Sequence, residues 1–239
     1  MVKNQIVELS GMDGFLNINK PPGITSYDVI RQIKKIPGFK AKIGHTGTLD
    51  PLASGVLVIC IGSATKKANR FLAMKKEYLA TMLLGITTDT DDIQGRIIET
   101  KKLQQNIFNE NLIRTTIQAF NGEIQQIPPC VSALRKNGVR LYKLHRQGCS
   151  ITPEPRRVFI YEIEVQKIEI PMIVFRVVCS RGTYIRALCR DIGKKLGCGA
   201  TQQALIRTKL GMFNIEESIT IEQLKNDGIT KYLIPPDII

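Results

Sequence analysis

"KIGHTGTLDPLASGVLVICIG", residues 42–62, places an aspartate, Asp50, between a glycine-containing loop and a wholly apolar run. Residues 56–61 (VLVICI) are apolar without alternation and include β-branched members, which predicts a short strand buried on both faces. Pro51 disfavours helical backbone angles at Asp50 and pushes it toward an extended form, and Gly44 and Gly47 are expected to let the preceding chain turn tightly. The carboxylate is then held in a fixed direction. Two readings of it stand side by side: an Asp-Pro turn or helix cap, or a reactive group on a stiff loop feeding a rigid strand. His45 has the same choice between a histidine bonded to loop backbone and a side chain facing the same cavity as Asp50.

Working outward, residues 14–19 (GFLNIN) have strand character and end in the turn KPPG, after which Thr25 or Ser26 caps a helix to about Ile36. Tyr27, Ile30, Ile33 and Ile36 are expected to form its buried face. Downstream, the sequence predicts a basic helix over 64–74 and a strand over 77–84, closed by Gly85 and the acidic turn TDTDDIQG. A helix over 109–120, strands over 156–168 and 172–179 and a helix over 183–196 follow. A last strand spans about 205–213, ahead of a short helix and a Pro-Pro tail. Strands and helices mix without regular βαβα alternation, so the class is α+β with a central mixed sheet. Residues 125–152 are polar, basic and poorly periodic between regular segments, and read as an insertion able to reach over a bound partner.

With 239 residues and 43% hydrophobic content, the chain can bury one large core or two modest ones. Its 34 Lys and Arg against 21 Asp and Glu give a net charge of +13, which calls for a polyanionic partner, nucleic acid or an anionic membrane. No apolar run approaches the roughly 18 residues that span a bilayer, and the opening MVKNQIVELS lacks the features of a signal peptide. A soluble, cytoplasmic protein is expected. Cys60, Cys130, Cys149, Cys179, Cys189 and Cys198 are scattered without a C-x-x-C pair and read as reduced thiols, mostly in the core. Two histidines make a histidine-rich metal centre improbable.

Two further clusters have chemical readings. In SRGTYIRALCRDIGKKLG, residues 180–197, Arg181, Arg186, Arg190, Lys194 and Lys195 form either a solvated basic face or a partner for a carboxylate. An arginine there would lower a carboxylate pKa by roughly 1–3 units and keep it ionised, as a nucleophile or base must be. Tyr78 follows a basic patch of Lys66, Lys67, Arg70, Lys75 and Lys76, and is either a core strand tyrosine or a ring that stacks on bases. Asp89-Thr90-Asp91 opens like an EF-hand loop, but the sixth and twelfth positions are Gln94 and Thr100. Neither a Walker A sequence nor a dinucleotide fingerprint is present. GHTG matches the KH-domain GXXG yet runs into a strand instead of joining two helices. From the residues alone, an RNA-modifying enzyme centred on Asp50 and an RNA-binding module with a structural aspartate both remain open.

Residues 44–66, GHTGTLDPLASGVLVICIGSATK, resemble the catalytic stretch of the TruB family of tRNA pseudouridine synthases. The resemblance continues in order through GFLNINKPPGITSYDV (14–29), KKEYLATMLLGITTDTDDIQG (75–95), IPPCVSALRKNGVRLYKLHRQG (127–148), VVCSRGTYIRALCRDIGKKLGCGA (177–200) and LIRTKLGMF (205–213), about 200 of the 239 residues. It implies the pseudouridine synthase fold, with a central mixed, mostly antiparallel sheet flanked by helices and loops. The catalytic domain would cover 1–215, with an RNA-gripping insertion at about 125–152. Residues 216–239 would be a short tail, where many members carry a PUA-type domain. The implied reaction isomerises uridine 55 in the TΨC loop of tRNA, with Asp50 as the essential carboxylate and Arg186 as its partner. Tyr78 would stack on the extruded uracil and assist the C5 proton transfer, Tyr184 and Leu205 would line the uracil pocket, and His45 would support the flipped-out loop. Lys20 matches a position as readily structural as catalytic, and Asp92 one of secondary importance. The resemblance implies no cofactor or metal, the tRNA T stem-loop as partner, no protein partner and a monomer. A guide-RNA-directed synthase of the same superfamily and a non-catalytic RNA-binding module are the alternatives.

Overall fold

The computed structural model describes residues 11–103, 109–132, 134–136, 138–147 and 152–238; the opening MVKNQIVELS, Cys149 and part of the expected insertion lie outside the described residues. In chain order the elements are β1 (Gly14–Lys20), α1 (Ser26–Lys34), β2 (Ile43–His45), β3 (Ser54–Ile61), α2 (Ala68–Ala73), β4 (Lys76–Leu84), β5 (Ile86–Thr88), β6 (Ile97–Thr100) and α3 (Glu110–Gln118). Then come β7 (Gly122–Gln126), β8 (Arg135–Lys136), β9 (Val139–Arg140), α4 (Leu141–Arg146), β10 (Arg156–Glu169), β11 (Met172–Cys179), α5 (Ile185–Lys195), β12 (Ala200–Leu210), β13 (Phe213–Asn214), α6 (Ile221–Asp227) and α7 (Ile229–Tyr232). They form two compact units, one made of residues up to Lys76 with those from Ile206 onward, the other of Glu77–Leu205.

The first unit is built on β3, buried from Gly55 to Ile61 as its unbroken apolar run requires. One edge of β3 is filled by antiparallel β1, in register from Gly14 opposite Ile61 to Lys20 opposite Gly55. The other edge is shared. Antiparallel β2 covers the end of the strand, from Ile43 opposite Ile61 to His45 opposite Ile59, and parallel β12 covers its start, with Ile206 opposite Ser54 and Arg207 opposite Gly55. Phe15, Phe71 and Phe213 pack edge-on or tilted, with centroids 5.0 to 6.4 Å apart, against Val56, Val58, Cys60 and Leu210.

Helix α1 starts where the sequence predicts, because Thr25 and Asp28 close a capping box. Ile30 and Ile33 are buried as expected and Val29 joins them, but Tyr27 is 53% exposed with Arg31 over its ring. A repeat of strictly three residues drifts around a helix of 3.6 residues per turn, and Ile36 lies beyond the helix end. The basic helix expected over 64–74 is a 3₁₀ segment, Gly62–Lys67, followed by the short α2.

In the second unit the hydrogen-bonded strand order is β12-β4-β11-β10-β7. β10 pairs antiparallel with both β11 and β7. With the β1–β3, β2–β3 and β12–β13 pairs, this gives the mixed, mostly antiparallel sheet of the expected fold class. β4 alternates cleanly, with Tyr78, Ala80, Met82 and Leu84 buried. Helix α3, capped by Asn109, packs on β10; its Arg114 and Gln118 side chains donate to the carbonyls of Val165 and Ile163. Helix α5 buries Ile185, Leu188, Cys189 and Ile192. β12 begins five residues before the expected start at Leu205, since Thr201 and Gln202 are fully buried despite their polarity. The Thr201 hydroxyl bonds that of Thr88 at 3.1 Å.

Candidate active site

The loop from Thr46 to Ala53 leaves β2 and re-enters β3 at the split in that strand's edge, and its backbone is tied down on every side of Asp50. Before it, Leu49 exchanges two hydrogen bonds with the buried Ser26 hydroxyl, its N–H donating at 2.9 Å and its carbonyl accepting at 3.1 Å. After it, the Pro51 carbonyl accepts from the Gly23 N–H at 2.8 Å and from Lys20 Nζ at 3.4 Å. The Asp50 carbonyl itself accepts from the Ala53 N–H at 3.0 Å, closing a turn over DPLA. The KPPGITS segment therefore grips the loop, and the Asp50 side chain stands half-buried on a fixed backbone. Gly44 takes no part in the tight turn expected of it: it lies in β2, with open space where a Cβ would sit.

Lys20 is fully buried, and its ammonium donates to the carbonyls of Pro21, Ile24 and Pro51. Burial brings it down from the usual 10.5 to about 8, against the pull of the Asp50 carboxylate and with the push of Arg207. Arg207 was not singled out from the sequence. It is 1% exposed, yet its Nε donates to the Val56 carbonyl at 2.7 Å and its Nη2 to the Gly47 carbonyl at 3.1 Å. Its guanidinium fills the gap on the β3 edge between the end of β2 and the start of the β12 pairing, and joins that edge to the Asp50 loop. His45 is half-buried; its Nδ1 accepts from the Gly47 N–H at 3.4 Å, and burial and then Arg207 hold it below the usual histidine pKa. Neutral imidazole with its proton on Nε2 is the form this geometry supports.

The other expected site residues lie in the second unit. Tyr78 is on β4, 8% exposed, and Leu205 on β12, 7% exposed. Tyr184 is the residue before α5, half-buried, and Arg186 sits in the first turn, 4% exposed. Arg186 Nη1 donates to the Thr90 carbonyl at 2.8 Å and lies 3.4 Å from Asp92 Oδ2, while Nη2 donates to the Val131 carbonyl at 3.1 Å. Asp92 is buried and also accepts from Thr90 Oγ1 and the Gln94 N–H. One turn along α5, Arg190 pairs with Asp91 at 2.8 Å. Asp91 has φ 61, a strained backbone for a non-glycine residue, and burial pushes its carboxyl up despite Arg190 and Arg186. Lys66, Arg70 and Lys75 of the basic patch are exposed in the first unit, whereas Lys76 is buried and caps the carbonyls of Leu72 and Met74.

Among the described residues no helix is long and apolar enough to cross a membrane. The family model for the TruB family pseudouridylate synthase N-terminal domain matches residues 34–185, and that for the tRNA pseudouridylate synthase B C-terminal domain matches residues 186–232. The chain belongs to the TruB family of pseudouridylate synthases. It is 53% identical over 226 residues to tRNA pseudouridine synthase B of Clostridium acetobutylicum and 49% identical over 229 residues to that of Clostridium kluyveri, covering 95% of this chain and 77% of each relative. Among solved structures it is similar to an H/ACA ribonucleoprotein bound to a substrate RNA containing 2′-deoxyuridine, with a TM-score of 0.68, 33% identity, and coverage of 94% of this chain and 59% of that one. A Cbf5-Nop10-Gar1 complex matches with the same TM-score and 36% identity, covering 92% of this chain and 57% of that one.

Proposed function

We propose that this protein isomerises uridine 55 in the TΨC loop of free tRNA to pseudouridine, with Asp50 as the essential carboxylate. The observation that carries the reading is Asp50 on a loop anchored at Leu49, Pro51 and Gly47, in a chain about half identical to proteins called tRNA pseudouridine synthase B. Chemistry on a stacked base requires that base to be flipped into a pocket. His45 supports the flipped-out loop, Tyr78 stacks on the uracil, and Tyr184 and Leu205 line its pocket. Asp50 acts as nucleophile or as base: the C1′–N1 bond breaks, the uracil turns, a C1′–C5 bond forms, the proton on C5 leaves to solvent with help from Tyr78, and N1 takes up a proton in its place. Arg186 is the partner of Asp50, and Asp92 holds Arg186. Lys20 holds the Asp50 loop. The protein works in the cytoplasm as a monomer.

Purified protein incubated with an unmodified tRNA transcript labelled at uracil C5 is expected to release tritium stoichiometrically with uridine 55. Turnover only after addition of a guide RNA and partner proteins would favour the guide-directed alternative. Tight tRNA binding without release would favour a binding module.

A further inference from the structure

The root of the insertion is tied to the first turns of α5 by three side chains. Gln126, fully buried at the end of β7, forms a two-bond pair with the backbone of Tyr184: its Oε1 accepts from the Tyr184 N–H at 2.8 Å and its Nε2 donates to the Tyr184 carbonyl at 3.1 Å. Arg186 donates to the Val131 carbonyl, and one turn later Arg190 donates to the Ile127 carbonyl at 2.7 Å while gripping Asp91. The same short stretch of chain, 126–131, is therefore addressed in turn by residues 184, 186 and 190.

The Gln126 pair goes further than satisfying a buried amide. Both of its bonds fall on one residue, and that residue precedes α5 without any side-chain cap of its own. The Tyr184 carbonyl also accepts the first bond of the helix, from the Leu188 N–H at 3.0 Å. With both backbone polar atoms fixed, the Cα–Cβ direction of Tyr184 is fixed too.

We infer that Gln126 is a positioning residue that aims the Tyr184 ring, with Arg190 holding the insertion root and the acidic turn in the same register. The inference rests on the proposed place of Tyr184 in the uracil pocket. It couples the insertion mechanically to the pocket: displacing the segment 126–131 would move Tyr184 and Arg186 together.

Two substitutions separate the bonds. Gln126→Leu removes both at similar volume, and Gln126→Glu keeps an acceptor for the Tyr184 N–H while changing the group that faces its carbonyl. Hydrogen exchange at the Tyr184 amide is expected to speed up at least about tenfold in Gln126→Leu and to stay near wild type in Gln126→Glu. Under single turnover with saturating enzyme, pseudouridine formation by Gln126→Leu is expected to slow about ten- to a hundredfold, with tRNA affinity within about threefold of wild type. Unchanged exchange in folded Gln126→Leu, or an unchanged single-turnover rate, overturns the inference. If Gln126→Leu does not fold, Gln126→Met, which also removes both bonds but adapts its shape to the site, decides: a rate equal to wild type overturns the inference, and a several-fold loss at constant affinity supports it. A wild-type protein that makes no pseudouridine would count against the proposed function, while the exchange measurement still judges the hold of Gln126 on Tyr184.

Discussion

Asp50 owes its fixed position to residues that the hydropathy of the chain hides. Ser26, Lys20 and Arg207 are polar or charged, all three are essentially buried, and each spends its hydrogen bonds on the loop or on the strand beside it. Lys20 offers a test with a defined sign. The unfolded chain keeps its proton to about 10.5, whereas the folded chain releases it near 8, so between those values the unfolded state binds more protons and stability rises with pH. Relative to Lys20→Met, the wild type should gain about 1–3 kcal/mol on going from below pH 8 to above 10.5. Urea denaturation of both proteins across that range measures it, and a constant difference would remove Lys20 from the account. The sequence reads Asp50 as fixed in direction by Pro51 and two glycines. The structure adds that Lys20 and Arg207 do much of the fixing, and a charge two residues from Leu205 on the same face of a strand, in LIRTKLGMF, was the signal available for Arg207.

Elements that follow apolar periodicity were legible in the sequence. β1, β3, β4, β10 and β11 fall close to their predicted ranges because their buried positions carry apolar side chains. The start of β12 was not, because Thr201 and Gln202 are buried polar residues, and Thr201 finds its partner in Thr88, 113 positions away in sequence. β7 escaped for the same reason, since Gln126 at its end looks like a surface residue until its partner Tyr184 is known. Gly55 is the point where β3 and β12 meet. Its φ is +97, and a Cβ there would collide with the backbone carbonyl of Arg207. Gly55→Ala should therefore destabilise the fold by about 2–4 kcal/mol, read from thermal or urea unfolding. A loss below about 0.5 kcal/mol, the ordinary surface value, would contradict this packing.

Across the whole molecule, the excess of 34 basic over 21 acidic residues is the broadest feature of the chain. Phosphate contacts release counterions, so tRNA affinity should fall steeply with salt, by about a hundredfold or more between roughly 50 and 200 mM. Lys66, Arg70 and Lys75 are exposed, and replacing all three with glutamine should weaken binding across tRNA sequences and reduce the salt slope by up to about three. Filter binding over a salt series measures both quantities, and an unaltered slope would move the RNA path away from α2. In the proposed reaction that charge draws the RNA in and Asp50 acts on the uridine. The most direct test of the account is tritium release from uracil C5 of unmodified tRNA by Asp50→Asn, whose isosteric amide leaves the loop anchors at Leu49 and Pro51 in place. The account predicts wild-type folding and tRNA binding with no detectable release, whereas release at a rate near wild type would contradict it.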